Sequence, residues 1–226
     1  MTSMSDTRPV PVSIDRRRVG VIAGMAAGPL FLTVAGLLTW AELDYLHGLG
    51  WRYTKNNPVP WPSATALGPY GWVQVVNFAL AGALLLAFVH SFRSVLQGRT
   101  GRIATALLYL MGIALLVSAF PTDDASTHGH SPNTWHGVLH SIGFVCIAVP
   151  SVIVPFVVAL ALRRTRGWRA AVVVSAAVPI VEILFFIPAA AAWHDAAFTC
   201  YLATLFGWFA FLAYRLRRES NGVTGP

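Results

Sequence analysis

Gly137–Leu162 reads GVLHSIGFVCIAVPSVIVPFVVALAL, 26 residues without one Asp, Glu, Lys or Arg. About 20 apolar residues at 1.5 Å rise cover the ~30 Å hydrocarbon core of a bilayer. The run therefore predicts a membrane-spanning helix; barrel strands would be ~10 residues long and alternating. Working outward, five further runs have the same character: Val19–Trp40, Gly71–Phe92, Ile103–Phe120, Ala170–Ala192 and Ala196–Tyr214. Together they predict an all-α polytopic membrane protein, six transmembrane helices in one bundle, with no internal repeat and no second domain. The first run follows Arg16–Arg18 but ends in Leu38-Thr39-Trp40 without an A-x-A site, so it reads as a retained helix rather than a signal peptide.

Composition agrees. Of 226 residues, 56% are hydrophobic and 11% charged, with a mean hydropathy of +0.62. An ordinary soluble domain carries about 25% charged residues, so a water-soluble globule is excluded. The net charge of +7 and pI near 10.1 would point to nucleic acid in a soluble chain. Here the basic residues sit at the ends of the apolar runs, and no nucleic-acid partner is expected. Fourteen lie on one side: Arg8, Arg16–Arg18, Arg93, Arg99, Arg102, Arg163, Arg164, Arg166, Arg169, Arg215, Arg217 and Arg218. The other side has only Arg52 and Lys55. The positive-inside rule then predicts a multi-pass protein of the cell membrane with both termini cytoplasmic. Residues 1–18 and 215–226 read as cytoplasmic tails flanking a transmembrane domain at 19–214. Trp40, Trp72, Trp135 and Trp193 fall at outer helix ends, as an aromatic belt would. The preference for Arg over Lys fits a GC-rich bacterial genome. Cys146 and Cys200 lie inside apolar runs and offer neither a disulfide framework nor metal spacing.

Histidine and carboxylate segregate to the outer face. His47, His128, His130, His136, His140 and His194 are there, with Glu42, Asp44, Asp123, Asp124 and Asp195. Phe120-Pro121-Thr122-Asp123 ends the third run, and Trp135-His136-Gly137-Val138-Leu139-His140 opens the fourth. His136 and His140 are at i and i+4 and share one helical face. That spacing suits two ligands of one metal such as zinc, with Asp123 a third ligand or an imidazole partner. A polar cap at the membrane interface is the more common explanation of the same spacing.

Glu182 is the one Asp, Glu, Lys or Arg inside the six runs. Ten residues before Ala192, it lies ~15 Å below the outer boundary. A carboxylate there costs about 2.5–3.5 kcal/mol on insertion scales, so it should face the bundle interior, either as a functional acid or as a helix-to-helix hydrogen bond. His140 is only ~5 Å deep by the same arithmetic. Gln74 and Asn77, at i and i+3, share a face of the second helix. With Ser118, Ser141, Thr199 and the Trp193-His194 pair they predict a polar cavity open to the outside.

The stretch Ser63-Ala64-Thr65-Ala66-Leu67-Gly68-Pro69-Tyr70-Gly71-Trp72, followed by Asn77-Phe78 and Gly82, resembles the bacterial family called "domain of unknown function 998". Phe120-Pro121-Thr122-Asp123 and His136-Gly137-x-x-His140 resemble it too, and the likeness runs from the first helix to the sixth. The resemblance implies a six-helix integral membrane protein and imports no reaction.

Three functions compete. The first is a membrane-embedded enzyme with an outer-leaflet site: Asp123, His136 and His140 as acid–base groups or metal ligands, Glu182 as a buried carboxylic acid, and Gln74, Asn77, Trp193 and His194 binding a lipid-like or isoprenoid-like substrate. The second is a small proton-coupled transporter built on Glu182. The third is a non-catalytic scaffold whose polar residues only pack helices. No haem is expected, because His136 and His140 share one helix and His90 lies at the opposite membrane side. Beyond the lipid bilayer and a lipophilic small molecule, the sequence names no partner and leaves the oligomeric state open.

Overall fold

A computed structural model describes residues 16–49, 62–123, 134–186 and 194–222. Among these every element is helical. They are α1 (Arg16–Ala41), α2 (Leu43–Gly48), a 3-10 segment (Pro62–Leu67), α3 (Gly71–Phe92), α4 (Gly98–Val117), α5 (Trp135–Leu162), α6 (Arg169–Phe186) and α7 (His194–Gly222). Among the described residues five helices are long and apolar enough to cross a membrane: Arg16–Ala41, Gly71–Phe92, Gly98–Val117, Trp135–Leu162 and Ala197–Glu219. The sixth expected run, Ala170–Ala192, is represented by α6, and its continuation through residues 187–193 lies outside the described residues.

The long helices form a ring. α1 packs against α3 and α7, α4 lies between α3 and α5, and α6 lies between α5 and α7. In lipid the hydrophobic effect does not drive helices together, so close packing over small residues must. A Cβ on Gly82 would meet Gly112 O and Leu116 N at 2.9 Å, and one on Gly143 would meet Ala114 O at 2.8 Å and Ser118 N at 2.9 Å. These glycines let α3, α4 and α5 approach backbone to backbone. Aromatic rings fill the interior: Phe88 stacks on Phe92 at 5.2 Å, and Phe92 meets Trp168 at 5.7 Å. Ile22, Leu37, Val173 and Leu184 point outward and are exposed, as lipid-facing positions would be. Trp40, Trp72 and Trp135 are 74%, 68% and 68% exposed, which fits interfacial anchors.

Three boundaries differ from the sequence reading. α4 begins at Gly98, five residues before Ile103, because Gln97 takes an extended conformation (ψ 162°) and Gly98 a positive φ of 72°. That sharp turn starts the helix, so Arg99 and Arg102 occupy its first turns. The connection after α1 holds α2 and the 3-10 segment, joined by Leu46 packing with Ala64 and by Tyr45 Oη donating to Leu67 O at 2.8 Å. α7 runs past Tyr214 to Gly222. Its end is clamped: Glu219 accepts from Arg17 of α1 and, at 3.2 Å, from Trp168 Nε1 in the turn before α6. The expected C-terminal tail is therefore in large part the last turns of a helix.

Candidate functional site

The end of the ring opposite the arginine clusters carries the α4–α5 junction, where the Phe-Pro-Thr-Asp and His-x-x-x-His segments meet. α4 ends at Val117, which leaves terminal carbonyls without helical partners. The first turns of α5 supply donors to the carbonyls that follow. His136 Nδ1 lies 2.9 Å from Pro121 O, and His140 Nδ1 lies 2.9 Å from Phe120 O. A carbonyl can only accept, so each Nδ1 carries the hydrogen and each Nε2 keeps its lone pair. Asp123 completes the clamp. Its carboxylate accepts from Thr134 N at 3.2 Å and from Thr134 Oγ1. Thr134 is the N-cap of α5 and accepts from Gly137 N at 3.1 Å. The negative charge thus sits at a helix N-terminus, where the macrodipole favours it.

The histidine pair shares a face, as its spacing requires, but that face turns toward the end of α4. Among the described residues no three His, Cys, Asp or Glu side chains form a group that could hold a metal ion. The expected Asp123–His136–His140 ligand set is therefore not assembled as a group, and the Asp123 carboxylate is held by Thr134.

Beneath the junction lies a cavity of about 330 Å³. Phe31 (α1), Phe78 and Leu85 (α3), Met111 and Leu115 (α4), Ile147 (α5) and Leu205, Phe206 and Phe209 (α7) form its apolar body. Its polar groups are Ser63, Ser118, Thr122, Asp123, His140, Ser141 and Tyr201, with Ala64 and Leu67 of the 3-10 segment also in the wall. His140 is held edge-on against Phe78 at 5.8 Å. Ser118 Oγ is buried without a hydrogen-bond partner. Ser141 and Val145 line the cavity from α5 and are themselves exposed, Val145 by 54%. Among the described residues the cavity therefore has a lateral side as well as a roof. Among the described residues no Lys or Arg lines it.

Asp123 and His140 thus share one cavity, whereas His136, Gln74, Asn77 and Glu182 do not line it. Gln74 and Asn77 do share a face, but it is turned to α1: Asn77 Nδ2 donates to Phe31 O at 3.0 Å and to Gln74 Oε1 at 3.2 Å. Asn77 thus joins α3 to α1, while Gln74 Nε2 is buried without a hydrogen-bond partner. Glu182 is fully buried, as expected, yet stands behind the cavity wall among α5, α6 and α7, with Ser151 and Tyr201 as polar neighbours. Trp193 lies outside the described residues, as does the side chain of His194, the first residue of α7.

Glu42 is the residue that sequence reasoning passed over, counting it among the outer-face acids without giving it a role. It is 3% exposed, beneath the turn leading into α3, and its Oε1 accepts from Tyr70 N at 2.7 Å while Oε2 has no partner. A Cβ on Gly68 would strike its carboxylate. The Gly68-Pro69-Tyr70-Gly71 turn was the available signal, because a glycine there makes room for a neighbour's side chain. Burial raises the Glu42 pKa, with the Tyr70 N–H opposing in part. A carboxyl whose folded pKa is raised stabilises the fold fully below its unfolded value, and that contribution is lost as pH climbs through the folded value. Glu42→Gln keeps an acceptor for Tyr70 N and removes the charge. It should melt at a higher temperature than wild type at pH 8, and the gap should close as pH falls toward the ordinary carboxylate range. A gap independent of pH in a thermal scan would contradict this.

A helical bundle with apolar spans and a partly polar internal cavity defines a multi-pass membrane protein. The family described as "Protein of unknown function (DUF998)" matches residues 62–217, more than half of the chain, and the chain belongs to that family. No curated protein and no solved structure matches it.

Proposed function

We propose that the chain spans the cell membrane six times with both termini cytoplasmic, and that its cavity admits a lipid-like or isoprenoid-like molecule from the outer leaflet for acid–base chemistry at its polar end. The arginine distribution supports the orientation, since the cavity lies at the end opposite the basic clusters. The observation that carries the reading is the mixed wall: an apolar body beside His140, Asp123 and the unpartnered Ser118 hydroxyl. Such a surface matches an amphiphile, whose tail meets the aromatic and aliphatic wall while its head meets a few directed polar groups.

The wall also selects the head group. With Asp123 present and no Lys or Arg among the described lining residues, a phosphate would meet like charge and no described counter-charge. A neutral hydroxyl or amide fits better. Its O–H or N–H can donate to His140 Nε2, a base whose orientation the Nδ1–Phe120 bond fixes. Ser118 can donate to the oxygen.

Ser141→Trp tests the reading. Ser141 is exposed on α5 and lines the cavity, so an indole there narrows the opening without entering the packed core. Native mass spectrometry of protein taken gently from its membrane should show a neutral lipid on wild type. The variant should show about tenfold less, equivalent to ~1.4 kcal/mol. Equal retention by both, or none by either, would overturn the proposal.

A further inference from the structure

The carboxylate of Glu182 is the most unusual group in the bundle. It is 0% exposed, and neither oxygen has a hydrogen-bond partner. A carboxylate in that setting costs several kcal/mol unless its charge is met. No described basic side chain pairs with it.

What surrounds it is oxygen. Ser151 of α5 and Tyr201 of α7 act on it directly, and the two are joined, Tyr201 Oη donating to Ser151 Oγ at 3.2 Å. Ser151 and Ser175 are themselves fully buried. Both also stand four residues before a proline, Pro155 in α5 and Pro179 in α6. Proline has no N–H, so the carbonyls of Ser151 and Ser175 lose their helical donor. The faces concerned are the inner ones, because Ser151, Pro155, Ser175, Pro179 and Glu182 are all buried. Helical side chains lean toward the helix N-terminus, which directs Glu182 back toward the turn that Pro179 opens.

We infer that Glu182, the Ser151 and Tyr201 hydroxyls and the proline-freed carbonyls of Ser151 and Ser175 form a binding site for a small monovalent cation, with Na⁺ the fitting occupant. The donor set is all oxygen, which excludes the softer metals. It holds one carboxylate, so a monovalent ion leaves the buried site neutral, whereas a divalent ion would leave an uncompensated charge. α5 and α6 run on unbroken through their prolines, so each lends only the carbonyl whose N–H partner the proline removes; carbonyls freed from helical bonds meet cations in membrane bundles away from water. Glu182, Ser151 and Ser175 do not line the cavity, whereas Tyr201 does, so the cation site adjoins the cavity at that one ring.

The test uses the purified full-length protein, with dicyclohexylcarbodiimide as an apolar probe of the Glu182 carboxyl and intact mass as readout. In NaCl, labelling should be about tenfold slower than in choline chloride of equal strength, corresponding to ~1.4 kcal/mol of protection. Na⁺ should also raise the melting temperature of wild type but not of Glu182→Gln. Should that variant fail to fold, Ser151→Ala serves: its half-protecting Na⁺ concentration should rise about tenfold, the same ~1.4 kcal/mol. Equal labelling in the two salts, or a Ser151→Ala protection curve identical to wild type, would overturn the site and leave Glu182 a packing acid.

Discussion

On the proposed acid–base reading, His140→Asn should reduce conversion of the cavity's lipid by about 10²–10⁴-fold, the usual contribution of a positioned acid–base group. Asparagine is the informative choice. Its side-chain N–H₂ can replace the Nδ1–H that His140 donates to Phe120 O, so the α4–α5 junction stays closed. What disappears is the Nε2 lone pair. The melting temperature should therefore move little while turnover collapses, and His136→Asn should leave turnover near wild type, because His136 is tied to Pro121 and does not line the cavity. The assay follows the lipid found on the wild-type protein, by mass, against time. Equal losses from the two substitutions would mean that the pair acts only as a clamp.

A large structural effect is expected at Gly143, between α4 and α5. A leucine there must push against Ala114 O and Ser118 N, backbone atoms that no rotamer change can move. Forced overpacking costs typically 1–3 kcal/mol and occasionally more, so the melting temperature should fall by roughly 5–10 °C. The damage reaches the site as well, since Ser118 and His140 lie on the two helices driven apart. Gly207→Leu is the matched control: nothing stands within 4 Å of a Cβ at Gly207. It should melt within about 0.5 kcal/mol of wild type. Equal melting of the two variants would show that α4 and α5 are not in such close contact.

These residues also show what a linear reading reaches. α3 coincides with the expected run Gly71–Phe92, because an apolar stretch bounded by a Gly-Pro-Tyr-Gly turn and by Arg93 leaves no other solution in a bilayer. α2 and the 3-10 segment escaped notice because six-residue elements carry too little periodicity to register. For the site, chemistry was easier to read than direction. Spacing put His136 and His140 on one face, and Gln74 with Asn77 on another, but a helical wheel does not say which neighbour a face meets. One pair turned to the carbonyls after α4 and the other to Phe31 O of α1. Depth was legible too: Glu182 is buried, as bilayer energetics demand. Its separation from the cavity depends on how α5, α6 and α7 pack, which only the assembled ring reveals. Glu42 inverts the lesson, since an acid near a helix end looks solvated until the turn before α3 folds over it.

The central claim is that a lipid-like molecule occupies the interior of the ring rather than only its outer surface. Photocrosslinking with a diazirine-bearing long-chain alcohol, in membranes, followed by peptide mapping, tests it most directly. The account predicts adducts on Met111, Leu115 and Phe209, which line the cavity yet are almost wholly buried, and their loss in Ser141→Trp. Adducts confined to outward-facing residues such as Leu37 and Val173 would contradict it.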